Sequence, residues 1–220
     1  MRTMGQALTD FTNQEITRLM TAARRLASSD GLRAHTYTTL IGLLTTTGLR
    51  PGEALRLEQA DVDLDRGVLF IRDSKFGKSR FVPLHESTRA ALADYARRRA
   101  VRHGHTQIDA WFVSDRRRPL SGSAARRTFA HLTSAVGLRP ATGRRVGRGP
   151  RLQDLRHTFT IRTLIAWYRD GRDVTRALPT LSTYLGHSDV AHTYWYIAGI
   201  PELLQLATEH LSGRRAGGGQ

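Results

Sequence analysis

A mainly α fold with a small antiparallel β-sheet, an α+β arrangement, is what this 220-residue sequence predicts, and three features carry the prediction. Apolar residues recur at helical spacing over most of the chain. Two short runs of β-branched and aromatic residues, 68–71 and 80–84, depart from that spacing, with Gly77 in the segment between them. The last third, from 155 onward, returns to helical spacing throughout.

Taken in order, Thr12-Asn13-Gln14-Glu15 reads as a capping box, and Ile16, Leu19, Met20, Ala23 and Leu26 follow on one helical face, with an end expected within 28–31. A second helix carries Tyr37, Leu40, Ile41 and Leu44 and breaks at Gly48. Pro51 then suits the first turn of a third helix, and Arg50 falls at the junction. The two strand-like runs are joined across 74–79, and the segment 61–64, before the turn at 65–67, is placed to add a short strand. Helices over 88–102 and 121–136 follow, with Trp111-Phe112-Val113 as an extended piece between them. The Gly-, Arg- and Pro-rich stretch 137–150 reads as a loop or arm. Helices over 155–168 and 174–185 come next, Pro179 bending or interrupting the latter and Gly186 stopping it. Asp189 is placed to cap a helix bearing Tyr194 and Tyr196. Pro201 opens the last helix, with Leu203, Leu204, Leu206, Ala207 and Leu211 on its apolar face. The expected organisation is a lead over 1–10, one folded body over 11–212 and a disordered tail over 213–220.

Charge narrows the function classes. Lys and Arg number 34 against 19 Asp and Glu, a net +15, and the arginines run through the whole chain rather than forming a terminal block. Such an excess repels itself in a compact state, and a polyanion that releases its own counterions on binding relieves it. Nucleic acid is the expected partner. With no cysteine, disulfides, thiol nucleophiles and cysteine-based zinc sites are excluded. No apolar run approaches a membrane span and the first residues lack a signal-peptide core, so the expectation is a soluble, cytoplasmic, nucleoid-associated protein of bacterial type with no membrane and no small-molecule substrate.

Breaking DNA without a metal needs cations for the charge growing on the non-bridging oxygens, a nucleophile in line, and an acid for the departing sugar oxygen. No metal-binding spacing and no carboxylate cluster is visible, so neither metal nor other cofactor is expected and arginine has to serve. Four segments bear on this: Thr47-Gly48-Leu49-Arg50-Pro51-Gly52-Glu53-Ala54-Leu55, then Lys75-Phe76-Gly77-Lys78-Ser79-Arg80-Phe81-Val82-Pro83-Leu84, then Asp154-Leu155-Arg156-His157-Thr158-Phe159, and Leu185-Gly186-His187-Ser188-Asp189 running on to Tyr196. In this order they resemble the boxes of the tyrosine recombinase, or phage integrase, family.

The resemblance implies that family's catalytic-domain fold and a catalytic set of Arg50, Lys75, Gln153, Arg156, His187 and Tyr196. The planar forks of Arg50 and Arg156 suit bidentate contact with phosphate oxygens. Lys75 matches the hairpin lysine that protonates the leaving 5′ oxygen, with Lys78 as its near competitor. Tyr196 matches the nucleophile, whose phenol ionises near pH 10 when unperturbed, so a neighbour has to take its proton. Tyr194 and Trp195 are expected to pack instead. Glu53, Asp154 and His157 are expected to stand behind these groups, Glu53 orienting Arg50 and His157 bracing the site rather than touching substrate. Lys78, Arg80, Arg144, Arg145 and Arg148 are candidates for contact with DNA.

Two departures from the family pattern shape the expected activity. Gln153 stands where the family usually has a histidine, and an amide accepts no proton at neutral pH, which predicts slow turnover. The usual N-terminal core-binding domain is expected to be absent, since only 1–10 precede the first helix. The activity implied is metal-independent cleavage and rejoining of double-stranded DNA through a 3′-phosphotyrosyl link, on self-assembled dimers or tetramers. A type IB topoisomerase-like activity and a DNA-binding relative with weakened or lost catalysis are the alternatives. Generic RNA binding leaves the four ordered segments unexplained.

Overall fold

The computed structural model describes residues 10–28, 31–74, 78–104, 108–139, 149–186, 189 and 191–216. Helix α1 (Asn13–Arg24) is followed by α2 (Leu32–Thr47), α3 (Pro51–Arg56) and a short 3-10 turn (Gln59–Asp61). Strands β1 (Val62–Asp63), β2 (Val68–Ser74) and β3 (Lys78–Pro83) form an antiparallel sheet in that order. Helices α4 (Glu86–His103), α5 (Gly122–Ala135), α6 (Leu152–Arg169), α7 (Val174–Leu185), α8 (Ala191–Gly199) and α9 (Pro201–Ala216) complete the mainly α fold with its small sheet.

Local chemistry accounts for most boundaries. The Thr12 hydroxyl accepts from the Glu15 amide and the Glu15 carboxylate accepts from the Thr12 amide, closing the capping box at α1. That helix stops at Arg24, earlier than its apolar spacing suggested, because the Arg25 amide turns back onto the carbonyls of Ala22 and Ala23. Gly48 ends α2 in the left-handed conformation, with φ 62°, and Pro51 opens α3. Helix α6 starts at Leu152, upstream of the expected 155, because Asp154 caps its own first turn by accepting from the Arg151 amide. Pro179 sits within a continuous α7. Asp189 accepts from the Ala191 amide at the start of α8. Helix α9 runs through Ala216, past the boundary expected at 212. A glycine such as Gly213 costs a helix interior only about 1 kcal/mol.

Helix α2 lies centrally, packed on α1, α4 and α6. Around it the larger core gathers Leu40, Ile41, Leu44, Leu49, Leu69, Val82, Phe112, Phe129 and Leu155, all essentially buried. Each such side chain contributes about 1.5–3 kcal/mol of burial. A second core collects Ile161, Leu164, Leu178, Leu181, Leu185, Tyr196 and Leu203 from α6 to α9. The partly buried Tyr184 packs against both cores and stacks on Phe159 at 5.8 Å. At the front of the chain, the Phe11 amide donates to the Thr158 hydroxyl at 3.0 Å, tying the segment before α1 onto α6. No described helix is long and apolar enough to cross a membrane.

Candidate active site

Arg50, Glu53, Arg80, Arg156 and Tyr196 converge from four stretches of sequence. The junction of α2 and α3 supplies Arg50 as the residue before Pro51, its extended backbone turned by the glycine two places earlier. Its amide donates to Glu53 Oε2 at 2.9 Å and its Nη1 to Glu53 Oε1 at 3.0 Å, so one carboxylate both caps the helix and aims the guanidinium. Arg50 Nη2 donates to the Gly186 carbonyl at 2.8 Å. Arg156, 2% exposed, donates to the Gly48 carbonyl at 2.9 Å and the Leu185 carbonyl at 2.8 Å. Backbone from the ends of α2 and α7 therefore positions both forks.

Two glycines permit this closeness. At Gly186, with φ 68°, an added Cβ would lie 2.8 Å from Arg80 Nη1 and 3.3 Å from Arg50 Nη1, so any side chain would displace the arginines. At Gly48 the same atom would lie 2.3 Å from Phe159 Cδ1.

Glu53 is the electrostatic centre. Burial pushes its carboxyl up, but hydrogen bonds and charge from Arg80, with the amide and charge of Arg50, outweigh that and hold it below the usual range. It is therefore an anion at neutral pH. Arg80 grips it with both Nη1 and Nη2, at 3.1 and 3.0 Å, and gives Nε to the Tyr184 carbonyl at 2.8 Å. Arg80 was expected on DNA, and the fold gives it another place: its side chain is 12% exposed and its fork is spent on Glu53. Alternation explains this. On β3, Arg80 shares a face with the buried Val82, while Phe81 between them is 68% exposed. The period-two signal was present in the sequence and would have turned Arg80 inward.

Among the described residues three guanidinium groups lie within the field of this one carboxylate, an excess of two positive charges. Arg156 reflects this crowding: burial first, then repulsion from Arg50, lowers its pKa from the ordinary guanidinium range to about 10, against attraction from Glu53 and from an ionised Tyr196. It remains a cation at pH 7. A buried cationic excess of this kind is a site for an anion.

Tyr196 comes from α8 and is 4% exposed, its ring within the second core. Its hydroxyl meets Nδ1 of the buried His157 at 2.5 Å. His157 was expected to brace the site rather than touch substrate, and the group it meets is the phenol of Tyr196. Gln153 is partly buried on the first turn of α6, four residues before His157 and so on the same helical face. Asp154 serves the helix cap already described. Tyr184 also lies within the field of Arg80 and Arg156, yet burial pushes its phenol up to about 12, which keeps it neutral. Tyr194 and Trp195, expected to pack, are 46% and 51% exposed. The nine-residue α8 turns Thr193 and Tyr196 inward, three apart, and the residues between them fall outside.

Lys75, His187, Arg144, Arg145 and Arg148 lie outside the described residues. Lys78 opens β3, its backbone paired with Ser74. Among the described residues no three His, Asp or Glu side chains gather as a metal site.

Comparison with known proteins bears on the family and the fold. Residues 9–201 match the model of the phage integrase family. The chain is 46% identical over 208 residues to the integrase/recombinase y4rB of Sinorhizobium fredii, covering 93% of this chain and 65% of that protein. It is 31% identical over 205 residues to the tyrosine recombinase XerD of Caulobacter vibrioides, covering 92% and 62%. It thus spans a little under two thirds of the length of these curated relatives. Among solved structures, XerA recombinase superposes with a TM-score of 0.69 at 27% identity over 95% of this chain and 66% of that one. The Tn1549 transposon integrase, solved with transposon right end DNA, shares the fold at the same TM-score and 16% identity, covering 95% of this chain and 68% of that one.

Proposed function

The chain belongs to the phage integrase family, and from that premise we propose that it breaks and rejoins double-stranded DNA at specific sites, with Tyr196 as nucleophile and Arg50 and Arg156 as the cations that hold the phosphate. One observation carries this reading: two guanidinium groups 106 positions apart in sequence share a site with one buried carboxylate, and a phenol from a third segment lies within the field of Arg156. A phosphodiester brings the charge that is wanting.

In the proposed reaction Arg50 and Arg156 stabilise the charge that grows on the non-bridging oxygens. Their contacts with backbone and Glu53 engage two of the five N–H groups of each, leaving donors for phosphate. Glu53 and Arg80 position them. The Tyr196 oxygen attacks phosphorus, the 5′ oxygen departs with a proton from Lys75, and a 3′-phosphotyrosyl link conserves the bond energy for rejoining to a partner strand's 5′ hydroxyl. His187 donates to a phosphate oxygen. Lys78, Arg144, Arg145 and Arg148 contact the DNA. Exchange between two sites requires protomers assembled on DNA as dimers or tetramers, and a place beside the nucleoid in the cytoplasm follows from that substrate.

Covalent trapping tests the reading. Nicked suicide duplexes with randomised arms, in which the cleaved fragment diffuses away, are expected to leave a denaturation-resistant protein–DNA adduct. Tyr196→Phe abolishes it, and Arg50→Ala slows its formation about 100- to 1,000-fold, the usual worth of one such charge-stabilising donor. Absence of an adduct, or one that persists in Tyr196→Phe, overturns the reading. Plasmid relaxation without defined sites would instead mark a type IB topoisomerase-like enzyme.

A further inference from the structure

We propose that His157 takes the proton from Tyr196 as the phenol attacks, supplying from one helical turn further along α6 the imidazole that Gln153 lacks. The proposal rests on Tyr196 being the nucleophile, and it replaces the expectation that a glutamine at 153 leaves the enzyme slow for want of an acceptor.

The contact itself is the first support. Nδ1 of His157 stands 2.5 Å from the Tyr196 hydroxyl, within reach for proton transfer without an intervening water. Both residues are buried, at 9% and 4% exposure, so bulk water is a poor rival. Helix geometry is the second. Positions 153 and 157 lie on one face, about 6 Å apart along the axis, so an imidazole at either faces the same neighbourhood. Other described titratable groups of the site are poor acceptors. Arg156 is a cation, burial holds Tyr184 as a neutral phenol, and Glu53 is kept ionised, as a weakened base, by Arg80 and Arg50. Attraction between Arg156 and an ionised Tyr196 favours the charge that proton removal creates.

The step balances. The Nδ1 lone pair accepts the phenolic proton, with the ring as its Nε2–H tautomer. The Tyr196 oxygen forms its bond to phosphorus, the bond to the 5′ oxygen breaks, and that oxygen leaves as a hydroxyl with a proton from the site's general acid. On rejoining, the His157 imidazolium returns its proton to the departing tyrosine oxygen.

Two measurements decide. In the free protein, histidine nitrogen NMR is expected to show His157 Nδ1 unprotonated and accepting, with its signal moving in Tyr196→Phe; a proton resident on Nδ1 overturns the proposal. In single-turnover trapping on the suicide duplexes, His157→Ala is expected to lower the cleavage rate about 100-fold or more. Added imidazole restores part of the rate, and a fluorinated, more acidic tyrosine at 196 narrows the gap to the parent. If His157→Ala misfolds, His157→Asn keeps an acceptor atom that takes no proton, and it is expected to be folded and slow. His157→Ala cleaving at the parental rate or faster, or failing to respond to either rescue, sinks this proposal while the Tyr196→Phe control leaves the proposed function standing. A parent that forms no adduct overturns both.

Discussion

The arginines and the tyrosine of the site rest on different foundations. Arg50, Glu53 and Arg80 sit at the rim of the larger core, where twenty-six buried apolar residues from Phe11 to Leu155 cluster among those described. Tyr196 rests in the smaller core, where eight cluster. The first region adds a buried ion-pair network, with the Glu53 side chain 2% and that of Arg80 12% exposed. The second holds its tyrosine by ring packing and a hydrogen bond to His157, among other contacts. The contrast teaches a division of labour: the charged floor is held by a buried ion-pair network, and Tyr196, the proposed nucleophile, belongs to the unit with less buried surface and hence the lower cost of local opening.

Removing the centre of the floor has the largest expected effect. Glu53→Ala leaves Arg80 and Arg50 without their shared anion, and breaking a buried pair in this way typically costs about 3–5 kcal/mol in chemical denaturation. The pH dependence carries a definite sign. Because the Glu53 carboxyl is held below its ordinary value of 4.5, its stabilisation is fully present above that value and is lost as pH falls through the lower folded value. Glu53→Gln is therefore expected to flatten the loss of stability on acidification below pH 4.5. An unchanged acid limb would show that the floor is not held by charge.

On the other side, Leu178→Ala is expected to cost about 2–5 kcal/mol, the range for a fully buried leucine. Hydrogen exchange should then quicken first in α7–α9 while α2 stays protected. Equal acceleration in α2 would mean that the two cores open together and would break the comparison. Smallest of all, Trp195→Ala on the exposed side of α8 is expected to shift stability by no more than about 0.5 kcal/mol and to leave the His157–Tyr196 contact in place. A larger loss would extend the smaller core onto the outer face.

The sequence alone determined what is local. The capping box at Thr12, the breaks at Gly48 and Gly186, the proline start of α3 and the bounds of α7 follow from interactions within a few residues, where side chain and backbone chemistry suffice. The order of the four motif segments was equally legible, and with it the family and the pairing of Glu53 with Arg50. Only the tertiary structure decided partners. Periodicity tells which face a residue occupies and not what meets it there, so Arg80 gripping Glu53 across 27 positions, and His157 meeting Tyr196 across 39, had to await the fold. Tyr194 and Trp195 point outward for the same reason: what an aromatic packs against is set by the neighbouring helices, and on α8 those neighbours lie on the side of Thr193 and Tyr196.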